Sequence, residues 1–202
     1  DILDLVRMDS GDMPMRPECF RPFTFIDGLG RNLQPMADRK RINLGWNAAC
    51  GEEEEVYLDR DRLEKVVLNL AVNALKFTPA GGEVSLTAGL ESGRLILKVA
   101  DNGAGMKEDQ VNSAFERFWQ ADTSAAKKHR GVGIGLALVK SLTESMDGAI
   151  EIESEHGKGT KFTISVPLLV PPDDSETEVP DDEDPLAEIH NRARIRGALS
   201  TM

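Results

Sequence analysis

Apolar and polar positions alternate with two periods along this chain, and the switches between them outline a mixed domain. From about Pro22 to Arg39, Ile26, Leu29, Leu33, Met36 and Ala37 recur at helical spacing and predict an amphipathic helix. Ile42, Leu44, Trp46 and Ala48 alternate as in a strand, and Val56-Tyr-Leu58 is a shorter strand candidate behind the acidic run Glu52 to Glu55. Residues 61–77 predict a strong helix. Glu83 to Ala88 and Leu95 to Ala100 predict two strands around a turn at Ser92-Gly93. A short turn of helix is expected near 108–114. Residues 133–146 predict a helix with Ile134, Leu138, Leu142 and Met146 on one face. Ile150/Ile152 and Phe162/Ile164/Val166 close the pattern as two strands around Gly157-Lys-Gly159. Mixed elements joined by hairpin-length connections predict an α+β fold, a two-layer sandwich with helices on one face of a mixed sheet.

The remaining segments set the domain limits. Residues 1–9 place Ile2, Leu5 and Val6 at helical spacing and end at Ser10-Gly11, as the last turns of a longer helix would. With Met13 to Glu18 read as linker, residues 1–21 are taken as helix end and linker, 22–170 as the main domain and 171–202 as a tail or interdomain linker. The chain opens on Asp1, which predicts a piece of something longer. The tail carries nine acids against three Arg, a net of −6 within a total of −11, and is expected to be disordered through about residue 184. A short helix from Asp184-Pro185 to about Arg196 is the exception. The acidic balance argues against nucleic acid as a partner. Cys19 and Cys50 are too few for a disulfide framework, and no apolar run reaches membrane-spanning length, so a cytoplasmic domain is expected.

Candidate chemistry sits in five short segments. On the 61–77 helix, at about 100° per residue, Asn69, Asn73 and Lys76 fall near about 0°, 40° and −20° on one strip. Leu63, Val66, Val67, Leu70, Ala74 and Phe77 take the apolar face beside it. Amide oxygens are hard donors suited to Mg²⁺, and an ammonium one turn on can meet a phosphate. A solvated face is the plainer alternative, and Arg62 and Lys65 extend the strip in that sense. Asp101-Asn-Gly103-Ala-Gly105-Met106 follows a strand, where glycines admit a close ligand and a carboxylate can accept an amino group. Gly131-Val132-Gly133-Ile134-Gly135-Leu136 opens a helix, whose free N–H groups can bind phosphate. Its G-x-G-x-G spacing is neither a dinucleotide fingerprint nor a P-loop. Phe115-Glu-Arg-Phe118-Trp119 would anchor a mobile loop, with Lys127, Lys128, His129 and Arg130 adding positive charge. Gly157-Lys-Gly159-Thr160 reads equally as a hairpin turn or a ligand contact. His129, His156 and His190 are expected at the surface.

In this order the segments resemble the catalytic and ATP-binding domain of sensor histidine kinases over residues 55 to 168, within the superfamily that includes gyrase-type topoisomerases and Hsp90 chaperones. The resemblance implies a Bergerat-type ATP-binding fold. It implies Mg²⁺ on Asn73 assisted by Asn69, and phosphate contact by Lys76. The adenine amino group would lie on Asp101, in a pocket shaped by Gly103, Gly105, Met106, Phe77 and Phe115. Thr160 would support the adenine side through water. Gly131 to Leu136, with Lys128 and Arg130, would cradle the phosphates. The implied activity is transfer of the γ-phosphoryl of Mg-ATP to a histidine on a dimerisation and phosphoacceptor domain of the same protein, then to a response-regulator receiver. The parent would be a homodimer, and the resemblance leaves a membrane anchor in it open. Two departures stand out. The His-Glu-x-x-x-Pro-like acceptor motif is absent and is expected upstream, and Gln120 stands where many relatives carry Arg. A clamp ATPase of the topoisomerase type would carry Glu where Asn69 stands. A nucleotide-binding pseudokinase or interaction module remains the alternative.

Overall fold

The computed structural model describes residues 13–119 and 133–172. The helix end expected at residues 1–9 lies outside them, as do Gln120, Lys127, Lys128, His129, Arg130, Gly131 and Val132. The tail beyond residue 172, with His190, does so too. The chain divides into two units, with the boundary between Val170 and Pro171.

In chain order the first unit runs β1 (Glu18–Phe20), α1 (Pro22–Lys40), β2 (Asn43–Ala49), β3 (Val56–Leu58), α2 (Arg60–Phe77), β4 (Glu83–Glu91) and β5 (Arg94–Asp101). It continues with α3 (Glu108–Ser113), α4 (Gly135–Glu144), β6 (Ala149–Glu155) and β7 (Gly159–Pro167). Five strands form one sheet in the order β2-β4-β5-β7-β6, with β2 parallel to β4 and the other pairs antiparallel. The parallel pair follows from the long crossover through β3 and α2, whereas two-residue and three-residue turns make hairpins of β4-β5 and β6-β7.

Strand alternation decides the two layers. Leu44 on β2, Val84, Leu86 and Ala88 on β4, Leu95, Leu97 and Val99 on β5, and Phe162, Ile164 and Val166 on β7 are buried. They meet Phe25, Ile26, Leu29, Leu33 and Ala37 of α1, the apolar face of α2, and Leu138, Val139 and Leu142 of α4 in one core. Each fully buried Leu, Ile or Val contributes about 1.5–3 kcal/mol relative to exposure. The intervening strand positions stay exposed or half-buried, and Lys161 pairs with Glu153 there at 2.6 Å. The mixed two-layer fold expected from the pattern is therefore the observed one.

Helix ends follow local chemistry. Pro22 stands in the first turn of α1, where its missing N–H costs nothing. Asp59 caps α2 by accepting the Arg62 N–H at 3.0 Å, worth about 1 kcal/mol. Lys40 at the end of α1 donates to the carbonyls of Leu75 (2.8 Å) and Lys76 (3.5 Å), placing a cation on the negative end of α2.

The reading of residues 1–21 as helix end and linker leaves out β1. Glu18 to Phe20 pairs antiparallel with β3 in a separate two-stranded sheet. Cys19 is exposed and Cys50 half-buried, both as free thiols. Among the described residues no helix is long and apolar enough to cross a membrane.

Candidate nucleotide site

The polar strip of α2 turns toward α4. Leu63, Val66, Val67 and Leu70 are at most 1% exposed, so the helix cannot rotate without breaking the core, and this holds Asn69 and Asn73 at its border. The Asn69 amide nitrogen donates to Lys65 O at 2.8 Å. That bond identifies the outward atom as the oxygen. Oδ1 lies 3.1 Å from where a Cβ on Gly135 would sit, and Asn73 Nδ2 lies 3.9 Å from the same point. Two side-chain amides thus face the first residue of α4, where helix N–H groups have no intrahelical partner. Ile134 is buried and Leu136, half-buried, packs against the core. Gly133 accepts the Phe118 N–H at 2.9 Å, which joins the two edges of the described structure beside this point.

Two readings along α2 need correction. Arg62 is no part of a solvated face. It is 4% exposed and pairs with Asp59. Phe77 is 36% exposed rather than core, because the helix ends there and its ring lies beside Lys76, whose Nζ sits 4.9 Å from the ring centroid. Burial, and then repulsion from Lys40, lower the Lys76 pKa from its ordinary value. An anionic group arriving there would relieve both effects.

Asp101 ends β5 opposite Thr160 of β7. Its Oδ1 accepts the Gly103 N–H at 2.8 Å. Burial raises the carboxyl pKa above 3.8, and the backbone N–H groups of Gly103 and Thr160 pull against that rise. The loop beyond it is clamped from both sides. Ala104 N donates to Phe77 O at 3.2 Å, and Gly157 N donates to Ala104 O at 2.7 Å. Gly105 has φ +59° and a Cβ there would come 2.0 Å from the Glu155 carbonyl oxygen. Gly159, with φ +107°, would bring a Cβ 1.9 Å from Asp101 O. These glycines let three backbone segments pack at van der Waals limit beneath the carboxylate. Replacement Gly105→Ala is expected to cost roughly 1–2 kcal/mol for the left-handed backbone and about 1–3 kcal/mol for overpacking. A lowered urea midpoint at unchanged slope is the check, and an unchanged midpoint would refute the clamp.

Ser154 escaped the sequence reading. Its Oγ accepts the Met106 N–H at 2.8 Å, lies 2.9 Å from Thr160 Oγ1 and contacts Gly159 O at 3.0 Å. It ties the loop after Asp101 to the β6-β7 hairpin. A serine on a half-buried strand face carries no sequence signal of such a role. Phe115 packs edge-on against Phe162 with ring centroids 6.4 Å apart, as an anchor should. Phe118 does not act as one, since it is 69% exposed. His156 is exposed, as expected.

Among the described residues no group of three or more His, Cys, Asp and Glu could hold a metal ion. Beside Gly135 the nearest side-chain oxygen is Asn69 Oδ1. A concavity of about 650 Å³ opens between α3 and β6, lined by residues such as Met106, Val111, Ile152 and Ser154. It borders the loop after Asp101 through Met106 and Ser154 and contains none of Asn69, Asn73 or Asp101.

Comparison with known proteins fits this geometry. Residues 58–170 match the family of histidine kinase-, DNA gyrase B-, and HSP90-like ATPases. The autoinducer 2 sensor kinase/phosphatase LuxQ of Vibrio parahaemolyticus is 30% identical over 195 residues, covering 89% of this chain and 22% of that protein. The circadian input-output histidine kinase CikA of Synechococcus elongatus is 35% identical over 171 residues, covering 83% and 22%. The chain thus spans about a fifth of the length of these relatives. Among solved structures, full-length ShkA in complex with AMPPNP has a TM-score of 0.74 at 30% identity, covering 84% of this chain and 35% of that one. The catalytic domain of histidine kinase ThkA, at 21% identity and TM-score 0.66, covers 76% and 96% and shares the fold. The chain belongs to the histidine kinase-, DNA gyrase B- and HSP90-like ATPase family, as a homologue of the sensor histidine kinases.

Proposed function

We propose that this chain is the ATP-binding catalytic domain of a two-component sensor histidine kinase. The observation that carries the reading is the pair of amides, Asn69 and Asn73, facing Gly135 at the start of α4. Asn73, with Asn69, would hold Mg²⁺. The amide oxygens fit that ion because they are hard and neutral, leaving the triphosphate to supply the compensating charge. When bound, the metal would neutralise charge on the phosphates.

The chain's own residues do the rest. Asp101 accepts the adenine amino group. Gly103, Gly105 and Met106 shape the floor, and Thr160 reaches the base through water. Phe77 and Phe115 flank the base. The N–H groups at the start of α4 receive phosphate oxygens, together with Lys128, Arg130, Gly131 and Val132. Lys76 offers a point charge. The γ-phosphoryl passes to a histidine nitrogen on a separate dimerisation domain, the bond to the ADP oxygen breaking as the bond to nitrogen forms. Positioning and charge neutralisation suffice, because phosphoryl transfer asks for little covalent chemistry from the protein. Asn69 supports this class over a clamp ATPase, since an amide bonded to Lys65 O cannot serve as general base. The phosphoacceptor domain of the same protein and a response-regulator receiver are the partners this reading assigns. The parent is a homodimer, and the domain works in the cytoplasm, where its two free thiols are stable.

The test is calorimetric titration of the domain with AMPPNP, with and without Mg²⁺, followed by transfer of labelled phosphate from ATP to the isolated phosphoacceptor domain. Saturable, Mg-dependent binding and a labelled histidine are expected. A folded domain that binds no nucleotide at millimolar concentration would leave the interaction-module reading in its place.

A further inference from the structure

The buried ion pair at the start of α2 has no part in the chemistry above, yet it touches two distant pieces of chain, the end of α4 and the segment Met13–Arg16. Asp59 and Arg62 are 3% and 4% exposed. Arg62 Nη1 donates to Ser145 Oγ at 2.7 Å, at the end of α4, and Ser145 Oγ in turn donates to Leu142 O at 2.7 Å. Arg62 Nη2 donates to Met13 O. Asp59 Oδ2 accepts the Arg16 N–H at 2.9 Å. Arg62 Nε lies 3.2 Å from Asp59 Oδ2 without the alignment of a hydrogen bond, so the guanidinium is aimed by its two outer contacts rather than by the carboxylate.

The placement of these contacts matters. At one end of the α2–α4 pair, Arg62 meets Ser145. At the other, Asn69 and Asn73 meet Gly135. The helices therefore run antiparallel, and Arg62 sets how far one stands along the other. A slide of α4 along α2 would move its first N–H groups away from the two amides while leaving Asp101 and Thr160, on the sheet, where they are. Apolar packing alone permits small slides of this kind, whereas a guanidinium held by several acceptors does not.

We infer that Arg62, paired with Asp59, is a positioning residue that fixes the phosphate-binding start of α4 against the metal-binding amides of α2, and that it ties this alignment to the segment Met13–Arg16. The inference rests on the nucleotide reading above. It implies separate control of the two halves of the ligand, with the phosphate and metal end depending on the pair and the adenine end not. Coupling is reciprocal, so a ligand that needs the alignment must also steady the segment.

The test compares the domain with the double variant Asp59→Asn/Arg62→Met. Asn keeps the helix cap, and an apolar replacement of a buried pair is often neutral for stability. Titration with Mg-AMPPNP and with adenosine gives two affinities for each protein. The expected result is a loss of about tenfold or more for Mg-AMPPNP, as for other groups that orient metal ligands, with adenosine affinity held within about twofold. Equal affinities in a folded variant overturn the inference, and so does an equal loss for both ligands. Should the double variant not fold, Ser145→Ala removes only the Nη1 acceptor, and an unchanged Mg-AMPPNP affinity there is decisive against it. Mg-AMPPNP, but not adenosine, should also slow hydrogen exchange at the Arg16 amide severalfold, and unchanged exchange refutes the tie to the segment. Absence of Mg-AMPPNP binding by the unaltered domain is a distinct outcome, which brings down the nucleotide reading and this inference with it.

Discussion

Asn73→Ala is expected to lose Mg-dependent nucleotide affinity by about a hundredfold, or roughly 2.8 kcal/mol at 1.4 kcal/mol per decade. Its cost to folding should be small. Asn73 is half-exposed at the edge of the core, and alanine is the better helix former. The variant should therefore melt at or slightly above the temperature of the unaltered domain while its calorimetric titration flattens. Affinity measured in EDTA should change far less, because on the proposed reading the amide's share of binding passes through the metal. Equal losses with and without Mg²⁺ would assign Asn73 to direct phosphate contact instead. Unchanged Mg-dependent affinity would remove it from the site.

Asp101→Asn should cost about 1.5–3 kcal/mol of adenine recognition, the range for a hydrogen bond to a charged group, or about ten- to 150-fold in affinity. The substitution preserves shape, and its oxygen can still accept the Gly103 N–H. Its NH₂ group then faces the adenine amino group, donor against donor. Preference for adenosine over inosine should fall accordingly, which loss of folding would not mimic.

The same residue predicts a pH profile. On the proposed reading, recognition needs the ionised carboxylate, and burial raises its pKa above 3.8. Adenosine affinity should accordingly decline on acidification at a pH above that of an ordinary aspartate, and Asp101→Asn should flatten the curve. The stability effect has the opposite sign. A carboxyl whose folded pKa is raised contributes stability that is complete below the unfolded value and is lost as pH rises through the folded one. The ligand-free domain should thus lose stability over that window, and bound adenosine should return it. A decline centred at or below 3.8 would show that desolvation does not govern this group.

Much of the architecture was legible in one dimension. Ile26, Leu29, Leu33 and Ala37 announced α1 through their spacing. The alternation of Phe162, Ile164 and Val166 announced β7, because burial of one face imposes its period on any chain that folds this way. Asn69 and Asn73 were conspicuous for a similar reason, being poor helix formers on a good helix. β1 was not legible, since three residues hold no period and its pairing with β3 is decided more than thirty residues away.

Apart from β1, local pattern therefore specified the elements, their order and the residue types offered for chemistry. Tertiary structure decided which of those residues meet. Arg62 lies on the strip of Asn69 by helical geometry, and it is buried only because α4 ends and the Met13–Arg16 segment passes there. Phe77 sits on the apolar face by the same geometry, and it is exposed because α2 stops before anything covers it. Ser154 became a junction through contacts with Met106 and Thr160 that no spacing foretells. A periodic pattern records which side of an element faces the core. It does not record which neighbour stands opposite, because that depends on the packing of elements distant in sequence.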